Sequence, residues 1–322
     1  MKILVIGYRN HSAKILRILS KINIIKKIHV YKKSKNNLKI DIKNSEITNS
    51  LSNLKNYDCF FILSPNNTHF DYIRKLIKFK KTIFCEKPSC TKIKEYKYLN
   101  KLPDKLKKKI YFNFNLRHSP LYKITLKYLK NKKLGKLHYV YFKGSNGISF
   151  KRMLKNLKRF ESNDVFERIT GNIGVHYINF FLGLINKPIE IFYNEGRIFR
   201  KKAEFSKIDL LSENFFSSIF LSHSSIADYR ADLVFTNGTL KFDNNEIKIV
   251  YPRNSFDEYG NFTYPKEKVL HKFVSYKKYT ELSFKYSVKY FLNVTKNKKK
   301  FLIKDYNDAL RSSYLILKAK NR

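Results

Sequence analysis

The sequence predicts an α/β protein in which a doubly wound parallel sheet comes first and an α/β domain with a large, mostly antiparallel sheet follows. Over about the first 120 residues, short apolar runs alternate with amphipathic stretches, a pattern typical of parallel strands covered by helices on both faces. Beyond that point, several strand-like runs follow one another without a helix between them, which indicates antiparallel strands.

The N-terminal elements follow in a simple order. Buried strands are expected at residues 2–7, 28–31, 57–65, 82–87 and 111–116, and helices at residues 13–22 and 69–79. Ligands of parallel sheets bind at the carboxyl ends of the strands. The residues predicted at those ends are Gly7, Ser64, Pro65, Asn66, Glu86, Lys87, Pro88 and Arg117.

The C-terminal part begins with a helix at 120–131, a long alternating strand at 137–145 and an apolar helix at 174–185. Further strands are expected within 189–199, 217–225, 230–245 and 246–252, and a last helix at 305–319. We therefore predict two domains, residues 1–118 and residues 119–322, with the last helix packing back on the first domain.

Composition restricts the class of protein. With 322 residues and 43% hydrophobic residues the chain can bury a full core. The apolar runs are much shorter than the roughly 18 residues of a membrane span, and "MKILVIG" lacks the cleavage site of a signal peptide. Three cysteines without metal-ligand spacing predict no metal site and a reducing, cytoplasmic location.

The formal net charge of +42 invites a nucleic-acid interpretation. The excess is mostly lysine scattered along the chain, together with abundant Asn, Ile, Phe and Tyr and no Trp. All the enriched residues have AT-rich codons, so a biased genome explains the charge. We expect neither nucleic acid nor membrane as a partner, although nucleic-acid binding remains an alternative that rests on charge alone.

The first strand runs into "GYRNHS". A dinucleotide fold expects G-x-G-x-x-G here, because glycines let the pyrophosphate approach a helix N-terminus. Gly7 is present, but Arg9 and Ser12 replace the other two glycines, so we expect Gly7, Arg9, Asn10 and Ser12 to form a modified phosphate loop. The alternative, a strand–helix turn without a ligand, remains open.

After the second strand stand Lys32, Lys33 and Ser34, where an NAD site expects an acidic residue. Basic and hydroxyl groups suit a 2′-phosphate, so the cofactor is expected to be NADP or NAD, with NADP slightly preferred. The alternative is that these are ordinary lysines of a lysine-rich chain.

The stretch "GNIGVHYINFFLG" is the second candidate site. His176 follows Asn172 by four residues, about one helical turn, so both side chains face the same way. Gly171 and Gly174 open the start of the helix, and this combination suggests a polar ligand; a satisfied core histidine is the alternative.

Smaller indications come from "LRHSP", with Arg117 and His118, from His69 in "SPNNTH", and from the basic loop 151–159. Arg117 is a candidate for substrate binding or a structural ion pair, and His69 for a cofactor contact or a local cap. The loop is a candidate phosphate grip or a solvated loop.

Taken together, "SPNNTH", "CEKP", "LRHSP", "LGKLHYVYF", "GNIGVHYINFFLGL" and "DALRSS" resemble the glucose–fructose oxidoreductase/inositol dehydrogenase/MocA (Gfo/Idh/MocA) family over nearly the whole chain. The resemblance implies a Rossmann domain and hydride transfer between a nicotinamide and a hydroxyl- or ketone-bearing carbon of a sugar, inositol or sugar nucleotide. It also implies a homodimer or homotetramer formed through the open sheet. "NIGVH" is similar to members that oxidise sugar nucleotides at the 3-position.

Carried over by position, Lys87 is the general acid/base and His176 the catalytic or orienting histidine. Asn172 and Asn179 stand where many members carry aspartates. Substrate contacts are expected from Lys87, Arg117, Asn172 and His176, and cofactor contacts from Ser64, Pro65, Asn66, His69, Glu86 and Lys87 as well as the loop residues above. Glu86 is expected to point aside from Lys87, because a direct pair would keep the ammonium charged.

Two functions follow. The first is an NADP-preferring sugar or sugar-nucleotide oxidoreductase. The second is a family member that has lost catalysis and serves as a binding or scaffold protein, which the missing glycines and the asparagines at positions 172 and 179 favour. Retention of both Lys87 and His176 argues for the enzyme.

Overall fold

The computed structural model describes residues 1–8, 10–32, 40, 42–149, 164–185, 190–198, 203–251 and 254–321. Contacts divide the chain into two compact units. The first contains Met1–Asn115 and Phe284–Tyr314, and the second contains Leu116–Ser283 and the chain from residue 315 onward. The first unit is thus built from both ends of the sequence.

The elements follow in chain order. The first unit begins with β1 (Lys2–Ile6), α1 (Asn10–Leu19), β2 (Lys27–Tyr31), β3 (Ser45–Thr48), β4 (Cys59–Ile62), α2 (His69–Leu76), β5 (Thr82–Glu86), α3 (Ile93–Asn100), α4 (Asp104–Lys107) and β6 (Ile110–Asn113). The second contains α5 (Pro120–Asn131), β7 (Leu137–Ser145), a π-helical turn (Thr170–Gly174), α6 (Val175–Leu184), β8 (Glu190–Gly196), β9 (Phe205–Ser212), β10 (Phe215–Ser222), β11 (Asp228–Phe235), β12 (Gly238–Asp243), β13 (Glu246–Val250) and β14 (Lys268–Lys272). Last come α7 (Tyr276–Lys296), α8 (Ile303–Lys318) and β15 (Lys320–Asn321).

The first unit is a doubly wound sheet. Among the described residues, six parallel strands stand in the order β3-β2-β1-β4-β5-β6. The order reverses between β1 and β4, and in doubly wound sheets this switch point, at the carboxyl ends of the strands, is where ligands bind. The prediction of a parallel, doubly wound N-terminal sheet is confirmed.

Aromatic rings form much of the core on one face of this sheet. Phe61 and Phe84 stack with their ring centres 4.7 Å apart, and Phe291 of α7 meets both edge-on at 5.0 and 5.4 Å. On the opposite face, Phe112 lies 5.6 Å from Tyr306 of α8. Each fully buried aromatic side chain contributes about 1.5–3 kcal/mol, so α7 from Phe284 onward and α8 up to Tyr314 are integral parts of the first unit.

The second unit contains a nine-stranded sheet, counted over the described residues, in the order β14-β13-β12-β11-β7-β10-β9-β8-β15. Neighbouring strands are antiparallel except at two pairs, β7–β10 and β8–β15. The prediction of a mostly antiparallel second sheet is confirmed.

The two faces of this sheet differ. Along β7, Val140 and Phe142 are buried, and α6 packs there, with Phe180 and Phe181 at 5.2 and 5.5 Å from the ring of Phe142. Tyr139 and Tyr141 point to the other face and are half-buried. The strands therefore have one apolar face that is covered by a helix and one partly exposed face.

Several elements were not predicted, namely β3, β9, β14, β15, α3, α4 and α7. The largest omission is α7, whose many Tyr, Phe, Thr and Val residues favour strands by propensity. Its buried positions Tyr279, Ser283, Ser287 and Phe291 recur every four residues, so packing of one helical face overrides that propensity. The predicted strand 111–116 is too long at its end, because residues 115–118 form a 3₁₀ turn.

That turn places His118 in a partly buried, electropositive position. Burial, followed by the charges of Lys123 and Arg117, lowers the pKa of His118 from 6.5 to about 4. Between pH 6.5 and about pH 4 the unfolded chain binds a proton at His118 and the folded chain does not. His118 therefore contributes stability above pH 6.5 that is lost as the pH falls towards 4.

We expect the free energy of unfolding to fall by about 2 kcal/mol more between pH 8 and pH 5 in the wild type than in His118→Gln, as linkage of this single group predicts. Urea unfolding at both pH values measures the difference. His138→Gln, at an exposed histidine, is the control. Equal pH dependence in the wild type and His118→Gln would contradict the buried, neutral state of His118.

Candidate functional site

The strand ends of the first unit meet at the switch point between β1 and β4. Leu63 donates its amide to the carbonyl of Ile6 at 2.8 Å, and Gly7 donates to Tyr31 at 3.1 Å. Gly7 and Ser64 therefore lie side by side where a dinucleotide fold binds its ligand. The N-terminus of α1 follows directly after Gly7.

Close packing explains why position 7 is glycine. Its φ is +97°, and a Cβ atom there would lie 2.7 Å from the Cα of Ser64 and 2.9 Å from the carbonyl carbon of Leu63. A side chain at this position would force β1 and β4 apart. The fold thus requires Gly7 whether or not a pyrophosphate binds.

The rest of the predicted cofactor loop is described in part. Ser12 is buried in the first turn of α1, and Lys32 is half-buried at the end of β2, where its amide donates to the carbonyl of Thr48 at 3.3 Å. For Asn10 the backbone, at the start of α1, is described. Arg9, Lys33, Ser34 and the basic loop 151–159 lie outside the described residues.

The loop after β4 is held by local hydrogen bonds. The hydroxyl of Thr68 lies 2.7 Å from both the Ser64 hydroxyl and the Pro65 carbonyl. A 3₁₀ turn over Asn66–Thr68 then leads into α2. Ser64, Pro65 and Asn66 are half-buried at this strand end, as expected for residues that border a ligand crevice.

Lys87 follows the last residue of β5 and is half-buried, whereas its neighbours Glu86 and Pro88 are buried. The Lys87–Pro88 peptide bond is cis. Before it, an oxygen of the Glu86 carboxylate accepts a hydrogen bond of 2.6 Å from the amide of Asn113 on the adjacent strand β6. The carboxylate is thus fixed by a neighbour in the sheet.

The segment after Lys87 is fixed by α8. The Ser89 hydroxyl donates to the carbonyl of Ala309 at 2.8 Å and lies 2.8 Å from the Ser313 hydroxyl. The Ser89 amide donates to that hydroxyl at 3.1 Å. Since all these groups are buried, water does not compete for the hydrogen bonds, and the turn has a defined position.

His69, the first residue of α2, joins the two strand ends. Its Nε2 lies 2.9 Å from the Ser64 carbonyl and its Nδ1 3.2 Å from the Pro88 carbonyl. Burial lowers the pKa of His69, so the ring is neutral near pH 7 and donates from one nitrogen. The shorter distance favours donation from Nε2 to Ser64. Both partners are backbone carbonyls, so in the described contacts His69 braces the two loops.

In the second unit, Asn172 lies in the π-helical turn and His176 in the first turn of α6; both are half-buried. The two glycines before His176 serve packing. A Cβ at Gly171 would lie 2.3 Å from the carbonyl oxygen of Val165, and one at Gly174 would lie 2.4 Å from Ile208. Their backbones approach protein atoms, so they do not by themselves indicate a ligand. π-Helical turns inside helices are frequent at functional sites.

Arg117 binds α6. Its Nε donates to the backbone carbonyl of Asn179 at 2.9 Å and to the side-chain oxygen of the same residue at 3.0 Å. A Cβ at Gly183, one turn further along α6, would lie 2.5 Å from the guanidinium carbon. Asn179 thus supplies the acceptor that an aspartate would supply, without its charge.

Sequence patterns did not predict the residues that support the turn at Lys87. These residues are Ser89, Asn113, Ser287, Ala309 and Ser313. One signal was available: Asn113 is a polar residue inside the apolar run "YFNFN" of a predicted strand. A buried amide needs partners. The partners on α7 and α8 lie more than 150 residues away in sequence, and local patterns do not reveal such pairs.

Of the described residues, no three His, Cys, Asp or Glu side chains group as a metal site. Over the same residues, each helix is too short or too polar to cross a membrane. The cysteines Cys59, Cys85 and Cys90 are free and buried, and burial raises their pKa values.

Residues 1–114 match the Gfo/Idh/MocA family model, described as an oxidoreductase family with an NAD-binding Rossmann fold. No curated protein sequence matches the chain.

Solved structures share the fold over nearly the whole chain. A myo-inositol dehydrogenase from Corynebacterium glutamicum is 14% identical, with a TM-score of 0.77 over 98% of this chain and 94% of that one. A probable dehydrogenase from Thermotoga maritima is 17% identical, with a TM-score of 0.75 over 99% and 95%. An oxidoreductase from Agrobacterium radiobacter, solved with NAD⁺, L-tartaric acid and magnesium, is 12% identical, with a TM-score of 0.78 over 99% and 95%.

The family match covers the strand ends that carry Gly7, Ser64, Glu86 and Lys87, and the structural likeness extends to the second sheet. Residues 1–114 are thus similar to the NAD-binding Rossmann domain of the Gfo/Idh/MocA oxidoreductase family, and the chain as a whole shares the fold of the solved dehydrogenases.

Proposed function

We propose that this protein is an NAD(P)-dependent oxidoreductase that transfers a hydride between a nicotinamide cofactor and a hydroxyl- or ketone-bearing carbon of a sugar or sugar nucleotide. The observation that supports it most is the Lys87 turn: a half-buried lysine at a strand end, between neighbours that are bonded to β6, α2 and α8. Hydrogen bonds that fix the neighbours of Lys87 suit a side chain that must lie within a fraction of an ångström of its position next to a reacting atom.

The strand ends fit a dinucleotide in two respects. The N-terminus of α1 follows the switch point, and its first turn contains no acidic residue, so the positive end of the helix dipole is available to a phosphate. When bound, the nicotinamide accepts the hydride from the substrate carbon or returns it. Gly7, Ser12, Ser64, Pro65 and Asn66, with Arg9 and Asn10, are the residues proposed to hold the cofactor.

Lys87 is proposed as the general acid/base. Oxidation of a secondary alcohol releases a proton from the hydroxyl, and a neutral amine can take it within hydrogen-bond reach. In the reverse direction the ammonium returns the proton to the carbonyl oxygen. Next to Lys87, one oxygen of the Glu86 carboxylate accepts a hydrogen bond from Asn113.

His176 and Asn172 are proposed to bind and orient the substrate. Both are half-buried and polar, and the imidazole and amide offer donors and acceptors that suit vicinal hydroxyls. Arg117, which holds α6 through Asn179, supports their position and is a further candidate for substrate binding.

The finer substrate and cofactor assignments rest on charge. A net charge of +42 draws anionic small molecules to the surface, which favours a nucleotide-linked sugar over a neutral one. Lys32, with Lys33 and Ser34, favours the 2′-phosphate of NADP over the free hydroxyl of NAD.

A catalytically inactive binding protein is the second candidate. One observation favours it: Gly7 is required by the packing of β1 on β4, so its presence is compatible with a loop that binds no cofactor. The outcome of cofactor titration separates the two candidates.

We further propose a homodimer or homotetramer through the partly exposed face of the second sheet. Phe216 on this face is 54% exposed, and the half-buried Tyr139 lies opposite it on β7. Charges of both signs accompany them, among them Lys207 and Asp209, 3.2 Å apart. A sheet face that carries apolar side chains together with positive and negative ones can pack against the same face of a second protomer.

The cofactor proposal predicts micromolar binding of NADPH, tighter than that of NADH, in titrations that follow nicotinamide fluorescence. Lys87→Met should lower kcat by about 10²–10⁴-fold, the usual contribution of a general acid/base, and leave the Kd for NADPH within about threefold. Lys94→Met, at an exposed lysine of α3, is the control. Substrates to test are nucleoside-diphosphate sugars, inositols and free sugars.

Absence of NADPH and NADH binding at millimolar concentration would leave the inactive binding protein as the better description. Binding with unchanged turnover in Lys87→Met would refute the role of Lys87 and retain the cofactor site.

The assembly proposal predicts that Phe216→Asp dissociates the oligomer, because a carboxylate in the apolar centre of an interface loses hydration without gaining a partner. Sedimentation velocity or light scattering gives the mass of each variant. Leu302→Asp, at a residue of the first unit that is 62% exposed, is the control. A wild-type monomer, or an unchanged mass in Phe216→Asp, contradicts the assignment of this face.

A further inference from the structure

The hydrogen bonds behind Glu86 form a chain with one direction. An ionised carboxylate accepts hydrogen bonds and donates none, so the Asn113 amide nitrogen donates to Glu86, at 2.6 Å. The amide oxygen then faces Ser287 of α7, whose hydroxyl donates to it at 2.6 Å. With its proton used, Ser287 accepts from the Tyr111 hydroxyl at 2.6 Å. The Glu86 oxygen that accepts from Asn113 thus sets the direction of every hydrogen bond in the chain.

Burial makes each link difficult to replace. Asn113 and Ser287 are completely buried, and Glu86 and Tyr111 are 7% and 6% exposed. Burial also raises the pKa of Tyr111, so the phenol keeps the proton that it donates. A buried polar group that loses its partner is not rescued by water and moves or takes up a proton instead.

Geometry connects this chain to Lys87. Glu86 is the last residue of β5 and pairs with Asn113 across the parallel sheet, and Lys87 follows Glu86 directly. A movement of the Glu86 carboxylate therefore changes the backbone from which the Lys87 side chain departs. His69 and Ser313 hold the other side of the same turn.

We propose that Asn113 is a positioning residue for Lys87, acting through the carboxylate of Glu86 and itself oriented by Ser287 of α7. This inference rests on the proposed role of Lys87 as the general acid/base. The alternative is that the buried chain contributes stability alone, without an effect on the reaction.

Asn113→Asp is the most direct test, because it changes one donor into an acceptor at nearly constant shape. Two carboxylates would then meet at a hydrogen-bond contact, and Glu86 must move or bind a proton. We expect kcat to fall by about 100-fold, the effect of a misplacement near 1 Å, with KM values within about threefold. Asn293→Asp, at an exposed asparagine of α7, makes the same charge change and should leave kcat unaltered.

The double variant Glu86→Gln/Asn113→Asp restores the hydrogen bond between the two positions with donor and acceptor exchanged. The glutamine amide can donate to the new carboxylate on β6, whose second oxygen still accepts from Ser287, and the total charge equals that of the wild type. If Asn113 acts through position, the double variant regains at least about tenfold in kcat over Asn113→Asp. A double variant with wild-type thermal stability that stays as slow as Asn113→Asp would overturn the proposal.

Ser287→Ala tests the same proposal if Asn113→Asp does not fold. It removes the donor to the Asn113 oxygen and introduces no charge. We expect a loss of about 3–10-fold in kcat, in line with one removed hydrogen bond of a supporting residue. Wild-type kcat in Ser287→Ala, together with lowered thermal stability, would show that the chain serves stability alone.

A second measurement does not depend on turnover. The rate of acetylation of Lys87 by acetic anhydride, followed by mass spectrometry against pH, reports the environment of its amine, with the exposed Lys94 as an internal reference. We expect the profile of Lys87 to shift in Asn113→Asp and to return in the double variant. If no nicotinamide binds the wild type, the proposed function fails, and this profile still decides the positioning role. An identical profile in all variants would contradict it.

Discussion

A carboxylate that ends a buried parallel strand must be met by donors, and at Glu86 the donor is the amide of Asn113. The rest of the candidate site depends on this contact. The amide can be held in one orientation because Ser287 donates to its oxygen, which in turn requires α7 to lie against the sheet. The aromatic core holds α7 there, because Phe291 of α7 packs against Phe61 and Phe84 of the sheet. Apolar packing of α7 on the sheet thereby supports the hydrogen bonds at the strand end that precedes Lys87.

The same turn is supported from the opposite face of the sheet. Ser89 is bonded to Ala309 and Ser313 of α8, and His69 reaches the carbonyls of Ser64 and Pro88. Hydrogen bonds of this kind contribute about 1 kcal/mol each to stability. Their larger effect is geometric, because three bonded neighbours leave the backbone around Lys87 little freedom. Such preorganisation is what a proton-transfer group needs, since reorganisation during the reaction raises the barrier.

Glycines in this chain illustrate how one residue type can mislead. Gly7 is a fragment of a phosphate-binding pattern, and Gly171 and Gly174 resemble an opening for a ligand. All three stand where a Cβ would collide with protein atoms. Their presence therefore reports close packing of the backbone against other protein atoms, and the glycines do not by themselves indicate a ligand.

The sequence by itself determined five of the six strands and the helices α1 and α2 in the first 115 residues, the mostly antiparallel character of the second sheet, and the candidates Lys87 and His176. These follow from local periodicity and from short motifs, since an apolar strand and the residue at its end are adjacent in the chain. Only the tertiary structure decided what holds Lys87. Asn113, Ser287 and Ser313 are ordinary polar residues in their own surroundings, and they become supports because strand pairing and the packing of α7 and α8 bring distant segments together. The strand propensity of α7 hid that helix from local prediction, and its burial against the aromatic core made it a helix.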